Sequence, residues 1–194
     1  MAKIDLKVET QFMKARSLYA ATGVAIIALF AATASLAASK AEIDASVSTA
    51  LKNFHALNPV HKELQTKAAG ILVFPRVTKG GVGVAGEYGE GVLRVNHKTV
   101  GYYSMASASI GLTLGIAKHS EIIMFMTQEA LDEFLNSKGW SIGADTAIAL
   151  VKVGAGGNYD TQTLQKPILG FVFGEKGLLA DLSLEGEKIN SIDR

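Results

Sequence analysis

The chain has 194 residues, 48% of them hydrophobic, with 20 glycines, 3 prolines and no cysteine. This is enough for one domain with a sizeable core, and it argues against disorder. The missing cysteine excludes disulfides, thiolate metal sites and a cysteine nucleophile, and suits an oxidising compartment. A formal net charge of +1 gives no reason to expect nucleic acid as a partner.

Lys3, Lys7, Lys14 and Arg16 precede an apolar stretch from Leu18 to Leu36, which ends in small residues. Basic region, apolar core and small-residue exit is the order of a secretory signal. Ser35-Leu36-Ala37 predicts a cut after Ala37, with a cut after Ala38 nearly as good. The competing reading is an uncleaved anchor, since the stretch is close to the ~20 residues that span a bilayer. Residues 1–37 are thus read as a signal peptide and 38–194 as the working domain, exported to the periplasm. Four of the 19 basic and two of the 18 acidic residues lie in that signal, so the remainder carries a net charge of −1.

Ser39-Lys40-Ala41-Glu42 is a capping box. Ile43, Val47, Ala50, Leu51 and Phe54 follow at helical spacing, which predicts a helix from about Lys40 to His55. Asn58-Pro59 starts a second, shorter helix to about Ala68. From Gly70 the pattern turns to strands. Ile71-Leu72-Val73-Phe74 is stopped by Pro75, a basic loop Arg76–Lys79 follows, and dense glycines to Gly91 predict a strongly bent strand. Val92–Val95 runs into a turn at Asn96-His97, and Thr99–Tyr103 restarts a strand. Ile110 to Ile116 alternates with period two. Lys118-His119-Ser120 is read as a turn before the continuous strand Ile122–Met126.

Thr127 caps an inserted helix that ends before Gly139. Ile142 to Leu150 alternates again. Ile168–Phe173 and Leu178–Leu184 read as a hairpin across Gly174–Gly177. The fold class is therefore α+β: mainly antiparallel β, as a curled sheet, sandwich or barrel, with two N-terminal helices and one inserted helix.

Familiar chemical motifs fail on context. Gly81-Val82-Gly83-Val84-Ala85-Gly86 matches G-x-G-x-x-G, but no helix follows and no acid stands about 20 positions on. Gly139-Trp140-Ser141-Ile142-Gly143 matches G-x-S-x-G, but the last histidine, His119, precedes the serine, and a strand follows it where a helix is needed. His55, His61, His97 and His119 form no metal-binding spacing. His55 and His61 flank a helix junction, and their plain reading is surface or capping groups. Glu87 and Glu90 could bind a cation or pair with Arg76 or Lys79, though a hard cation wants more oxygens than two. No catalytic residue, metal site or cofactor is expected. Lys79 beside glycine amides could grip a phosphate.

Several long runs resemble the SYLF domain family. They are Gly70–Pro75 with Lys79-Gly80-Gly81 and Gly86–Gly91, Gly101-Tyr102-Tyr103 with Ala106–Ser109, and Phe125-Met126-Thr127. Gly139-Trp140, Val153–Gly156, Phe171–Leu178 and Leu182–Gly186 continue it. The resemblance covers about Ala41 to Arg194 and implies a non-enzymatic lipid-binding domain, phosphoinositide-binding in eukaryotic relatives and actin-binding in yeast relatives. A stand-alone domain behind a signal resembles bacterial envelope members, for which anionic phospholipid at a membrane surface is the implied partner. Docking to an envelope protein is the alternative. Charge beside glycine, not the resemblance, selects Arg76, Lys79 and Lys176 for the headgroup.

Overall fold

The structure, a computed structural model, describes residues 38–143, 148–153, 161–176, 184 and 186–194. At 82–84, 109–114, 152, 161, 175 and 176 it describes the backbone alone. Residues 1–37, expected as a signal peptide, lie outside the described residues, and the described compact unit is Ser39–Arg194.

Helix α1 spans Lys40–Leu57. The Glu42 N–H donates to Ser39 Oγ (3.3 Å) while the Ser39 N–H donates to the Glu42 carboxylate (2.8 Å), which closes the expected box. These Ser39 donors hold the Glu42 carboxyl below its usual range. The predicted stripe Ile43, Val47, Ala50, Leu51 and Phe54 is buried. Helix α2 spans Val60–Lys67, and Asn58 Oδ1 accepts from the Val60 N–H at 3.0 Å. His61, expected at the surface, is instead fully buried and stacked on Phe54 at 3.8 Å. Its Nδ1–H donates to the Phe54 carbonyl at 2.6 Å, so the ring closes the helix junction from inside.

Two long strands follow, β1 (Gly70–Val95) and β2 (Lys98–Phe125), paired antiparallel from Val95↔Lys98 out to Gly70↔Phe125. The turn between them puts Asn96 (φ 50°) and His97 (φ 64°) both in the left-handed region, as a two-residue hairpin turn requires. The two expected interruptions are absent. Pro75 does not end its strand, and Arg76–Lys79 is not a loop. Pro75 and Arg76 sit where the register shifts between Phe74 and Val77, a bulge that tolerates a missing N–H. Lys118-His119-Ser120 likewise stays within β2, and the Ser120 hydroxyl donates to the Pro75 carbonyl at 2.9 Å.

The glycines act by letting β1 double back on itself. A Cβ on Gly91 would lie 2.1 Å from the Val73 carbonyl oxygen of the same strand, and one on Gly89 would lie 3.2 Å from that of Arg76. A straight strand would hold residues 73 and 91 roughly 60 Å apart. The β1–β2 ribbon is therefore folded over, and its inner face encloses the core.

Helix α3 (Gln128–Asn136) begins at Thr127, whose hydroxyl accepts from the Ala130 N–H at 3.2 Å, and Gly139 beyond it has φ 96°. Strands β3 (Trp140–Ser141) and β4 (Ala149–Lys152), helix α4 (Thr161–Leu164), and strands β5 (Ile168–Lys176) and β6 (Lys188–Ile192) complete the chain. The sheet order is β3-β6-β2-β5-β4, with β1 on the other edge of β2. The class is α+β with a curled, mainly antiparallel sheet, as expected, but β4 lies parallel to β5. The stretch expected as one strand from Ile142 to Leu150 is broken, because Gly143 turns with φ 89°. Strand β5 runs on through the expected turn to Lys176. The second hairpin arm, Leu178–Leu184, lies outside the described residues except for Leu184.

Inside the folded ribbon, Leu72, Phe74, Val77, Leu93, Met105, Ile123 and Phe125 pack with α3 and Trp140. On the outer face, α1 lays Phe54 against Phe171 and Phe173 of β5, with ring centroids 4.9 and 5.2 Å away. Burial on both faces explains the unbroken apolar runs Ile71–Phe74 and Ile122–Phe125.

Candidate functional site

Two groups of polar side chains stand on opposite faces of the ribbon. Beyond the bulge, side chains alternate: Arg76 and Thr78 point outward and are exposed, whereas Val77 is buried. The Arg76 guanidinium donates to Ser46 Oγ of α1 at 3.0 Å. It borders an open pocket of about 250 Å³ lined also by Thr49, Asn53, Pro75 and Ser120. Along the same face, Lys118 is exposed and lies across from Thr78 on one side and from Lys176 on the other. Ile116, one alternation further along, is 68% exposed. The outer face thus joins cations, hydroxyl groups and an uncovered apolar side chain.

Lys79 belongs to the other group. Its Nζ lies 3.6 Å from Glu87, with side chains only 12% and 3% exposed. The two residues are eight apart on one strand, about 26 Å if it were straight, so this pair is a direct product of the fold-over. His119 Nε2 lies 3.3 Å from Glu87 and 2.5 Å from Glu121, and both residues on β2 are buried. One ligating atom from each of Glu87, His119 and Glu121 lies within 4.8 Å of the others. Glu187 comes from the segment leading into β6 and is also fully buried.

Burial drives the electrostatics of this inner group. It raises the Glu121 carboxyl pKa, against the pull of His119. It pushes the Glu187 carboxyl up to about 10, helped by the neighbouring Glu121 and Glu87 charges and opposed by Lys79. Among the described residues, His119 Nδ1 has no hydrogen-bond partner, and the Glu187 carboxyl faces that of Glu121. Among the described residues, Glu87, His119 and Glu121 are the one set of three that could hold a metal ion.

Of the three cations expected from the sequence, Arg76 is exposed, Lys79 is drawn inward, and Lys176 sits on β5 with its backbone opposite Lys118. The expected pairing of Glu87 with Lys79 is found, while Glu90 pairs with Arg194. Sequence reasoning missed His119, Glu121 and Glu187. A signal was present: His119 and Glu121 stand two apart, in phase with Ile123 and Phe125, so one strand face carries two polar groups into an apolar row. The amphipathic face of α1 is covered by the sheet, and its polar side lines the Arg76 pocket.

Residues 106–193 match the model of a family described as Ysc84, Las17-binding protein actin regulator. That span holds β2 from Ala106 onward and everything to the end of β6, but not the Gly70–Gly91 stretch. No match to the chain was found among curated proteins.

Proposed function

Because residues 106–193 of this chain belong to the Ysc84 (SYLF) family, we propose that it is a non-enzymatic binding domain for anionic phospholipid, working at a membrane surface of the cell envelope. The observation that carries this reading is Arg76, an exposed guanidinium beside a pocket lined with hydroxyl groups. A guanidinium with neighbouring hydroxyls suits a phosphate oxygen. Lys118 adds a second exposed cation, and Ile116 offers an apolar contact below a headgroup. Lys176, whose backbone lies opposite Lys118, is the third residue proposed for the headgroup. Lys79 is left out because Glu87 holds it. The basic, apolar and small-residue order of residues 3–37 supports export to the periplasm through a cleaved signal.

The test is co-sedimentation with anionic and neutral liposomes. Each cation near an anionic surface contributes about 1 kcal/mol. Arg76→Ala/Lys118→Ala should therefore weaken binding to anionic liposomes by roughly tenfold to thirtyfold, since ~1.4 kcal/mol is tenfold. Added salt should mimic the substitution. Equal binding of variant and wild type, or equal binding to neutral liposomes, overturns the reading.

The family description, an actin regulator, favours a second reading in which the domain docks to a protein of the envelope. Wild-type chain that ignores every liposome but is held by an envelope protein extract would favour it over lipid.

A further inference from the structure

Among the described residues, the inner group gathers more acids than bases. Glu87, Glu121 and Glu187 bring three carboxyl groups into a buried space, and among the described residues Lys79 is the one permanent cation beside them. Burying ionised carboxylates without partners is costly, and such groups are paired, take up a proton or bind a metal. We propose that Glu87, His119, Glu121 and Glu187 form a closed structural site for one divalent transition-metal cation of the zinc or manganese class.

Three observations carry the proposal. The first is convergence: one atom from each of Glu87, His119 and Glu121 already lies within 4.8 Å of the others. Around a four-coordinate ion with ~2.0 Å bonds, ligand atoms stand about 3.3 Å apart. His119 Nε2 and Glu87 meet that spacing at 3.3 Å, and Glu121 at 2.5 Å needs to open by less than an ångström. The second is Glu187, fully buried, with another acid, Glu121, as its side-chain partner. It stands outside the 4.8 Å cluster of the other three and would complete the set by closing on the ion. The third is charge: a divalent ion would give the Glu87 and Glu121 carboxyl groups a counter-charge beyond that of Lys79.

The donor set selects the ion. One imidazole nitrogen with carboxylate oxygens suits zinc or manganese, whereas calcium and magnesium take oxygen ligands alone. The ligands come from β1, from β2 and from the segment before β6. A bound ion would tie the folded ribbon to the C-terminal part of the chain, which is the task of a closed site.

The test uses the full chain and zinc or manganese chloride as probe. Elemental analysis and calorimetric titration should give one equivalent bound. A hundredfold excess of metal over Kd should raise the melting temperature of chelator-treated protein by roughly 5–10 °C. Glu187→Gln keeps the side-chain shape, and with His119→Gln it should abolish that binding while circular dichroism stays native. If either variant fails to fold, the wild-type melting curves with and without chelator still decide. Wild-type protein that takes up neither metal and melts unchanged overturns the site, as does binding that survives both substitutions. Lipid binding by the Arg76 face is measured separately and has no part in these outcomes.

Discussion

Arg76 and Lys79 are three residues apart on one strand, yet one faces solvent and the other an interior group of acids. The odd spacing accounts for it. In a loop the two cations would be interchangeable, but along a strand an odd step changes face. The bulge at Pro75 sets the phase, keeping Leu72, Phe74, Val77 and Lys79 on the inner side. The outer face is therefore free to bind, and the inner face is committed to holding the ribbon shut.

The comparison breaks most visibly at the closure itself. Gly91→Ala would drive a Cβ to 2.1 Å from the Val73 carbonyl, a backbone atom that cannot swing aside. We expect a loss of at least about 3 kcal/mol of stability, read as a melting point lower by roughly 6–12 °C. A melting point within a degree or two of wild type would mean that the two halves of β1 do not meet.

A paired test sharpens the contrast between faces. Lys79→Ala leaves Glu87 short of a partner in a covered site and should cost about 1–3 kcal/mol in urea unfolding. Its binding to anionic liposomes, per folded molecule, should be unchanged. Arg76→Ala should do the reverse, losing binding while stability stays within about 0.5 kcal/mol. Were Lys79→Ala to lose binding at full stability, the division of labour would be wrong.

The smallest effect concerns acid. Desolvation against Phe54 lowers the pKa of His61 below its ordinary 6.5. The unfolded chain then binds the extra proton, so this residue makes stability fall as pH drops from about 6.5 toward the folded pKa. The slope cannot exceed about 1.4 kcal/mol per pH unit. Urea melts at pH 7 and pH 5 should show a steeper loss for wild type than for His61→Phe. Equal losses would place His61 in contact with water.

Local signals in the sequence were readable wherever one residue's chemistry decides the backbone. Ser39 with Glu42, Asn96-His97, Thr127 and Gly139 all do as their side chains predict. The curvature of the glycine stretch was also legible, because glycine's use is to admit another backbone. Pro75 misled because a missing N–H stops a central strand but is harmless at a bulge. Lys118-His119-Ser120 looked like a turn because its polarity was credited to solvent, whereas only Lys118 is exposed: His119 meets Glu87 and Ser120 donates to the Pro75 carbonyl. The inner group was out of reach for a related reason. Glu87, His119 and Glu187 are scattered along the chain and meet only once the ribbon is bent.

The turn at Asn96-His97 also has a kinetic consequence. Every pair from Val95↔Lys98 to Gly70↔Phe125 is nested around it, so each rung closes only a short loop once the one inside has formed. Strands β5 and β6 add to β2 from much further along the chain. The ribbon is thus suited to zip first and to receive its later neighbours afterwards. Asn96→Val, which disfavours the left-handed turn, should slow refolding in stopped-flow experiments, while Ile189→Ala on β6 should mainly speed unfolding. A barrier that responds to Ile189 and not to Asn96 would mean that the chain closes from its ends inward.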